Sequence, residues 1–179
     1  MSELLDEEAI RELLRQLGAR LAARGLQAEI YVVGGTAMVL AYDRSRLTRD
    51  IDAVTDMQDA VELEAREMAR GRRGLSPDWF NGKVRPMLPR VFDEEQTEAL
   101  SVPGLSVSVA SPRHMLAMKV RATRGARDLD DVLLLCARLG IGSISAVFDI
   151  ADDVWGPGML RPESIFFVTE ALAAKGFTP

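Results

Sequence analysis

The sequence predicts an α/β (α+β) fold, in which a small mixed β-sheet is flanked by helices and followed by a C-terminal helical portion. The first 54 residues alternate between helical and strand periodicity, which gives an α-β-α-β opening, and helical spacing dominates after residue 111. With 179 residues, 47% of them hydrophobic, the chain is long enough for one domain with its own core. We therefore expect a sheet-bearing portion over residues 1–110 and a helical portion over residues 111–179, within a single compact unit.

The N-terminal segment predicts a helix and then a strand. Asp6 can cap a helix that runs to about Arg24, because its side chain can accept a hydrogen bond from the first helical turn. Gly25 ends this helix, and residues 29–33 have the composition of a strand. The buried face of the helix is marked by apolar residues at three- and four-residue steps: Ile10, Leu13, Leu14, Leu17 and Leu21.

Two glycines follow the strand, and two aspartates follow the next helix. A short helix is predicted over residues 36–42, a loop over 43–49, and a second strand that carries Asp50 and Asp52. A helix is expected over 58–70. Pro77, Pro86 and Pro89 interrupt the next segment, so short strands and turns are expected between residues 75 and 100.

The remaining segments predict one further strand and several helices. Residues 105–109 alternate in polarity like a half-buried strand. Ser111 and Pro112 form a strong helix start, with the serine as cap and the proline at the first position. Three more helices are expected over residues 127–139, 143–153 and 162–175. The last of them should bury a stripe made of Ile165, Phe166, Val168, Thr169 and Leu172.

The glycine turn and the aspartate pair together predict nucleotide chemistry. Gly34 and Gly35 allow a tight turn and leave amide groups free at the start of a helix, where anions bind. Asp50 and Asp52 lie two apart in an extended stretch, so both side chains should point to one face while Ile51 points to the other. Two such carboxylates repel each other unless a cation lies between them. Mg²⁺ is the natural candidate, because it couples one or two carboxylates to substrate phosphates.

The composition of the chain limits the classes of protein to which it can belong. The longest uncharged stretch near the front is too short and too interrupted by glycine to span a bilayer, and no signal-peptide pattern is present, so we expect a cytoplasmic protein. Cys136 is the only cysteine, which excludes a disulfide within the chain, and we expect it in the core. His114, the sole histidine, is expected at the surface. Trp79 and Phe80 are expected to pack in the core rather than to stack on an acceptor base.

The charge is unevenly distributed along the chain. The formal net charge of −5 argues against general nucleic-acid binding. Between residues 66 and 90, however, seven basic residues stand against two acidic ones: Arg66, Arg70, Arg72, Arg73, Lys83, Arg85 and Arg90. Such segments could form a phosphate-facing groove, or could be solvated helix faces and loops.

Two motifs resemble a known superfamily. Gly34-Gly35-Thr36 followed by Asp50-Ile51-Asp52 resembles the signature of nucleotidyltransferases with the polymerase-beta-like fold. The later arrangement of Ser111-Pro112, Lys119 and Arg127-Asp128 with Asp131 is similar to the branch that contains AbiEii-type toxins of toxin–antitoxin pairs. The pattern covers roughly residues 30 to 135. It implies a nucleotidyltransferase core over residues 1–110 and a helical portion that completes the active site.

The resemblance also implies roles for individual residues. Those implied to be catalytic are Asp50, Asp52, Lys119 and Asp128, and those implied to bind the nucleoside triphosphate (NTP) are Gly34, Gly35, Thr36 and Arg49. Asp50 and Asp52 would bind Mg²⁺, and Lys119 would meet phosphate charge. The superfamily commonly has a third carboxylate on a later strand, but residues 105–109 contain none. Asp128 or Asp131 would then take that role, unless activity is weak or lost.

These implications predict a Mg²⁺-dependent transfer of a nucleoside monophosphate from an NTP to an acceptor hydroxyl. The 3′ end of a tRNA is the favoured acceptor, because basic segments accompany the motif, and the chain would be a toxin restrained by an antitoxin protein. Transfer to a small molecule, as in antibiotic-modifying relatives, is one alternative. A catalytically silent nucleotide-binding or interaction module is another. The sequence does not select among the four NTPs.

Overall fold

The computed structural model describes residues 4–123 and 126–179, apart from the side chains of residues 126 and 127. The strands are β1 (Ala28–Val32), β2 (Ile51–Val54), β3 (Phe80–Asn81), β4 (Thr97–Val102) and β5 (Leu105–Val109). The helices are α1 (Glu7–Ala23), α2 (Gly34–Ala37), α3 (Gln58–Arg70), α4 (Pro112–Ala122), α5 (Ala126–Leu139), α6 (Ile144–Trp155) and α7 (Pro162–Ala173). A π-helical turn, Met38–Tyr42, continues α2, and a 3₁₀ turn, Arg85–Met87, follows β3.

The five strands form one mixed sheet in the order β3-β2-β1-β5-β4. β1 runs parallel to β5 and antiparallel to β2, whereas β2 runs parallel to β3 and β5 antiparallel to β4. The predicted fold class, a mixed sheet flanked by helices with further helices at the C-terminal end, is confirmed.

The chain divides into two compact units. The first contains the described residues up to Met87 together with Gln96–Ala110, and the second contains Leu88–Glu95 together with the described residues from Ser111 onward. The whole sheet therefore belongs to the first unit, and α4 to α7 belong to the second. The chain enters the second unit briefly at residue 88 and returns to complete the sheet.

The core of the first unit follows the apolar stripe predicted for α1. The five predicted stripe residues, Ile10, Leu13, Leu14, Leu17 and Leu21, are all fully buried. Asp6 caps the helix as predicted, since its carboxylate accepts the Ala9 N–H at 2.8 Å. Trp79 and Phe80 are buried, which confirms their predicted place in the core, and the Trp79 indole N–H donates to the Ala65 carbonyl at 2.8 Å.

Helix α1 packs very closely on the turn between β4 and β5. Gly104 in this turn has a φ of +82°, and a Cβ there would lie 2.2 Å from the Gly18 carbonyl oxygen and 2.6 Å from the Ala22 amide nitrogen. A Cβ at Gly18 would in turn lie 2.9 Å from the Pro103 carbonyl oxygen. Because neither Gly18 nor Gly104 carries a side chain, the backbones of α1 and of the β4–β5 hairpin can touch.

The helices of the second unit begin at the predicted cap. The Ser111 hydroxyl accepts the His114 N–H at 3.2 Å, and Pro112 occupies the first turn of α4. Cys136 is buried as predicted, and burial raises the pKa of its thiol to about 11. The stripe predicted for the last helix is partly wrong. α7 buries Ser164, Val168 and Leu172, whereas Ile165 and Phe166 are 40% and 70% exposed.

His114 is buried, so the prediction that it lies at the surface is wrong. The segment Leu88–Glu95 covers the first turn of α4, and there the two ring nitrogens of His114 both find acceptors. Nδ1 lies 3.1 Å from Asp93 Oδ1, and Nε2 lies 3.2 Å from the Val91 carbonyl oxygen. Asp93 Oδ2 also accepts the Ser111 N–H at 2.8 Å. Burial lowers the pKa of His114, but Asp93 and the Val91 carbonyl outweigh it and raise the pKa above the usual value.

We expect Asp93→Asn to lower the free energy of unfolding in a pH-dependent way. Because the pKa of His114 is raised in the folded protein, the ion pair stabilises fully below about pH 6.5, the unfolded value, and is lost as pH rises through the folded value. Below pH 6.5 the loss should be about 1–3 kcal/mol. Urea titrations at pH 5.5 and pH 8.5 measure it. Asp153→Asn, which removes the exposed partner of Arg113, should show no such pH dependence.

Candidate active site

The glycine turn and Asp52 lie against each other. Gly34 has a φ of +64°, and a Cβ there would lie 3.2 Å from Asp52 Oδ2. The Val33 N–H donates to the Asp52 carbonyl at 3.0 Å, which ties the end of β1 to β2. A Cβ at Gly35 would lie 2.9 Å from Thr48 Oγ1. A side chain at either glycine would thus crowd Asp52 or Thr48, and the positive φ of Gly34 further favours glycine there.

The aspartate pair lies at the start of β2. Ile51 and Ala53 are fully buried, so the alternation of the strand directs Asp52 to the other face, and Asp50 lies one residue before the strand. Burial raises the pKa of Asp52, and the nearby charge of Asp50 raises it further. The two carboxylates therefore repel each other in a partly desolvated place, which is the electrostatic condition that a divalent cation would relieve.

Asn81 on the neighbouring strand contacts this pair. Its backbone is in register with Asp52, its side chain is buried, and its Nδ2 lies 3.5 Å from Asp50 Oδ2. A hydrogen bond from Asn81 also lowers the pKa of Asp52, opposing the effect of burial. A neutral amide thus occupies the strand position beside the pair and donates to it.

Two threonine hydroxyls fix the bend that precedes β2. Thr36 Oγ1 donates to the Asp50 carbonyl at 2.7 Å, and Thr48 Oγ1 donates to the same oxygen at 3.1 Å. Because the Thr36 side chain is buried in this role, its predicted contact with phosphate depends on its amide. The amides of residues 34–36 are the first of a helix and have no intrahelical acceptor. Phosphate binding by Gly34, Gly35, Thr36 and the exposed Arg49 stays a prediction.

Lys119, Asp128 and Asp131 meet within the second unit. Lys119 Nζ lies 2.5 Å from Asp131 Oδ2 and 3.6 Å from Asp128 Oδ1. Asp131 is the more buried of the two carboxylates, so it is the closer and better shielded partner of the lysine. The cluster joins three of the residues on which the toxin-like resemblance rests. Their part in catalysis, and the choice between Asp128 and Asp131, stay predictions.

Much of the basic segment between residues 66 and 90 is paired. Arg66 bonds to Glu62 and Arg70 bonds to Glu67, both along α3. Lys83 bonds to Asp78. Arg85 donates to the Thr55 carbonyl and to Gln58 Oε1. These cations lie on helix faces and turns, and each has its own partner. The segment therefore offers less positive charge to a phosphate-facing groove than its sequence indicates.

Sequence reasoning missed the contact of Asn81 with the aspartate pair. Asn81 belongs to a strand of two residues in a segment rich in proline and glycine, where no periodicity marks a strand. In the sequence, Lys83 is only one charge of the basic segment. Only the pairing of β3 with β2 places Asn81 in register with Asp52, and Lys83 follows two residues later.

The described residues contain no group of three or more histidine, cysteine or acidic side chains that could hold a metal ion. A cation bound by Asp50 and Asp52 would need further ligands from substrate or water, which is how Mg²⁺ is usually bound. In the same described ranges, no helix combines the length and the apolar content that crossing a membrane requires.

Comparison with known proteins assigns the chain to a family. A search of the curated proteins found no match. The model of a family described as "Nucleotidyltransferase of unknown function (DUF6036)" matches residues 8–151, which include the glycine turn, the aspartate pair and the Lys119 cluster. The match agrees with the resemblance to the nucleotidyltransferase superfamily and leaves the toxin-like branch as a prediction. The chain belongs to the DUF6036 family of nucleotidyltransferases.

Proposed function

We propose that the chain transfers a nucleoside monophosphate from an NTP to an acceptor hydroxyl, with Mg²⁺ held by Asp50 and Asp52. The observation that carries the proposal is the position of Asp52 Oδ2, 3.2 Å from where a Cβ of Gly34 would lie. A phosphate bound by the amides of that turn would be next to the carboxylate pair. Catalysis of this transfer is chiefly positioning and charge stabilisation, for which this arrangement is suited.

The donor set fits a hard divalent cation, because Asp50 and Asp52 offer only oxygen ligands and repel each other when both are charged. When bound, Mg²⁺ would supply Lewis-acid stabilisation of the charge on the phosphates. The amides of residues 34–36 would bind the departing pyrophosphate, where negative charge accumulates. Thr36 and Thr48 would hold the Asp50 bend in place during the reaction.

The transfer is an in-line displacement at phosphorus. The acceptor oxygen forms a bond to the α-phosphorus while the bond from the α-phosphorus to the bridging oxygen breaks, and pyrophosphate leaves with that electron pair. The proton of the acceptor hydroxyl passes to a carboxylate of the site or to water. Lys119 and Asp128 are part of the proposal as the predicted phosphate-facing cation and supporting acid.

The 3′ end of a tRNA is the first acceptor that we propose, with the chain as the toxin of a toxin–antitoxin pair and an antitoxin protein as its partner. The contacts among Lys119, Asp128 and Asp131 support this, because these residues carry the resemblance to AbiEii-type toxins. A small-molecule acceptor is the second candidate. It is favoured by the pairing of Arg66, Arg70 and Lys83 with neighbouring acids, which leaves less positive surface for RNA.

Label transfer from each of the four α-³²P-labelled NTPs tests the proposal. The purified chain is incubated with Mg²⁺ and total RNA, with and without a panel of aminoglycosides, and the products are separated by gel and by thin-layer chromatography. Labelled tRNA supports the first acceptor, and a labelled small molecule supports the second. Mg²⁺-dependent thermal stabilisation by an NTP without any labelled product would instead indicate a silent nucleotide-binding module and contradict the transferase proposal.

A further inference from the structure

Lys83 lies on a turn whose backbone is fixed beside the aspartate pair. Its N–H donates to Asn81 Oδ1 at 3.1 Å, and Asn81 is in register with Asp52 on the neighbouring strand. The preceding residue is held from the other side, because the Gly82 N–H donates to Glu62 Oε1 at 2.9 Å. The backbone of Lys83 is therefore anchored two residues from the strand position opposite Asp52.

The side chain of Lys83 is much less constrained than its backbone. It is 69% exposed, and its Nζ bonds at 2.8 Å to Asp78 Oδ2, whose side chain is 58% exposed. Asp78 raises the pKa of Lys83 most, followed by the charges of Asp50 and Asp52, and Lys83 in turn lowers the pKa of Asp52. Lys83 is thus a fully charged cation within electrostatic range of the carboxylate pair.

An exposed ion pair of this kind is easily exchanged. Solvent and salt screen it, and a lysine pays side-chain entropy to keep one geometry. A triphosphate carries several negative charges and offers many acceptor oxygens, and lysine binds phosphate as a flexible point charge. An NTP at the aspartate pair would therefore compete effectively with Asp78 for the ammonium group. Arg66 and Arg85 are less suited, because Arg66 bonds along α3 and Arg85 donates to the Thr55 carbonyl.

We propose that Lys83 binds the triphosphate of the nucleotide substrate, and that Asp78 holds the ammonium group near the site until the nucleotide arrives. This inference rests on the proposed function, because it assumes that an NTP occupies the glycine turn beside Asp50 and Asp52. It adds to that proposal a phosphate-binding cation from the first unit. Asp78 then acts only through Lys83, as the carboxylate that the triphosphate displaces from the ammonium group.

Calorimetric titration of the full-length chain with nucleotides tests the assignment. The probes are the Mg²⁺ complexes of ATP, CTP, GTP and UTP, and of inorganic tripolyphosphate, which has no base or ribose. We expect Lys83→Gln to raise the Kd for the bound NTP and for tripolyphosphate about 10- to 100-fold. Lys83→Arg should retain most of the affinity. Asp78→Asn should tighten binding by up to about 5-fold, since the competing carboxylate is gone.

A matched control is available on α1. Arg15 forms an exposed pair with Glu12 at 3.5 Å, so Arg15→Gln removes one positive charge of similar exposure without touching the aspartate pair, and should leave the Kd unchanged. If the wild type binds an NTP but Lys83→Gln binds it equally well, the assignment is wrong and the proposed function stands. The assignment is likewise wrong, and the proposed function stands, if Lys83→Gln weakens binding of the NTP but not of tripolyphosphate. A wild type that binds none of the five probes would overturn the proposed function and this inference together.

Discussion

Replacing Asp52 by asparagine is expected to reduce nucleotidyl transfer by about a thousandfold or more without destabilising the protein. The change removes one of two carboxylates proposed to hold Mg²⁺, and that charge stabilisation is worth several kcal/mol in a transition state. The fold should tolerate it, because asparagine has the same shape and because burial and Asp50 disfavour the charged form of Asp52. Asp52→Asn should therefore be at least as stable as the wild type at pH 7.

The gain in stability should itself depend on pH. The pKa of Asp52 is raised in the folded protein, so its negative charge is a cost above that pKa, and the cost disappears as Asp52 becomes protonated. The difference in unfolding free energy between variant and wild type should thus shrink as the pH is lowered. Label transfer and urea unfolding at several pH values measure the two effects. Asp56→Asn, an exposed change just after β2, is the control for both.

Retention of transfer in Asp52→Asn would remove the assignment of this carboxylate to the metal. Loss of transfer together with loss of stability would show that Asp52 supports the fold instead. Only loss of transfer with preserved stability agrees with the proposed role.

Replacing Gly104 by alanine is expected to lower the free energy of unfolding by about 3–5 kcal/mol, or to prevent folding. A Cβ there would lie 2.2 Å and 2.6 Å from backbone atoms of α1, which cannot move aside as the end of a side chain can. The positive φ of Gly104 adds a strain of about 1–2 kcal/mol for any other residue. Unfolding in urea, followed by circular dichroism, measures the loss.

Gly25→Ala separates the steric effect of the Cβ on stability from the effect of the positive φ. Gly25 has a φ of +71°, close to that of Gly104, but a Cβ there would meet no atom within 4 Å. Its alanine variant should therefore lose only the conformational part, about 1–2 kcal/mol. Equal losses in the two variants would mean that the close approach of α1 to the β4–β5 turn is not what makes Gly104 necessary.

Local signals predicted the features that depend on local chemistry. The stripe of α1, its Asp6 cap and the start of α4 at Ser111 and Pro112 all appear where the sequence places them, because periodicity and capping are encoded within a few neighbouring residues. The glycine turn and Asp52 are likewise predicted, because each belongs to a short motif that can be recognised in the sequence. Asp52 on β2 lies close to the turn that follows β1, as the spacing of the two motifs predicts.

Features that depend on tertiary pairing were not predictable. β3 is a strand because the Ile51 N–H donates to the Trp79 carbonyl at 2.6 Å and Asn81 pairs with Asp52. The sequence of its two residues alone does not indicate a strand. Apolarity alone predicts that Ile165 and Phe166 are buried on α7, whereas Val168 and Leu172 are the residues that face the core. His114 is buried because a segment from far upstream covers it, which no local pattern could indicate.

No single cut in the chain would release either unit intact, because Leu88–Glu95 belongs to the second unit while the β4–β5 hairpin after it belongs to the first. A truncation after residue 87 would strip β1 of its partner β5 and expose an open sheet edge that invites aggregation. A fragment that starts at Ser111 would leave His114 without Asp93. Expression of the aspartate site by itself calls for an internal deletion, in which a short linker replaces residues 88–95 and the chain stops after Ala110.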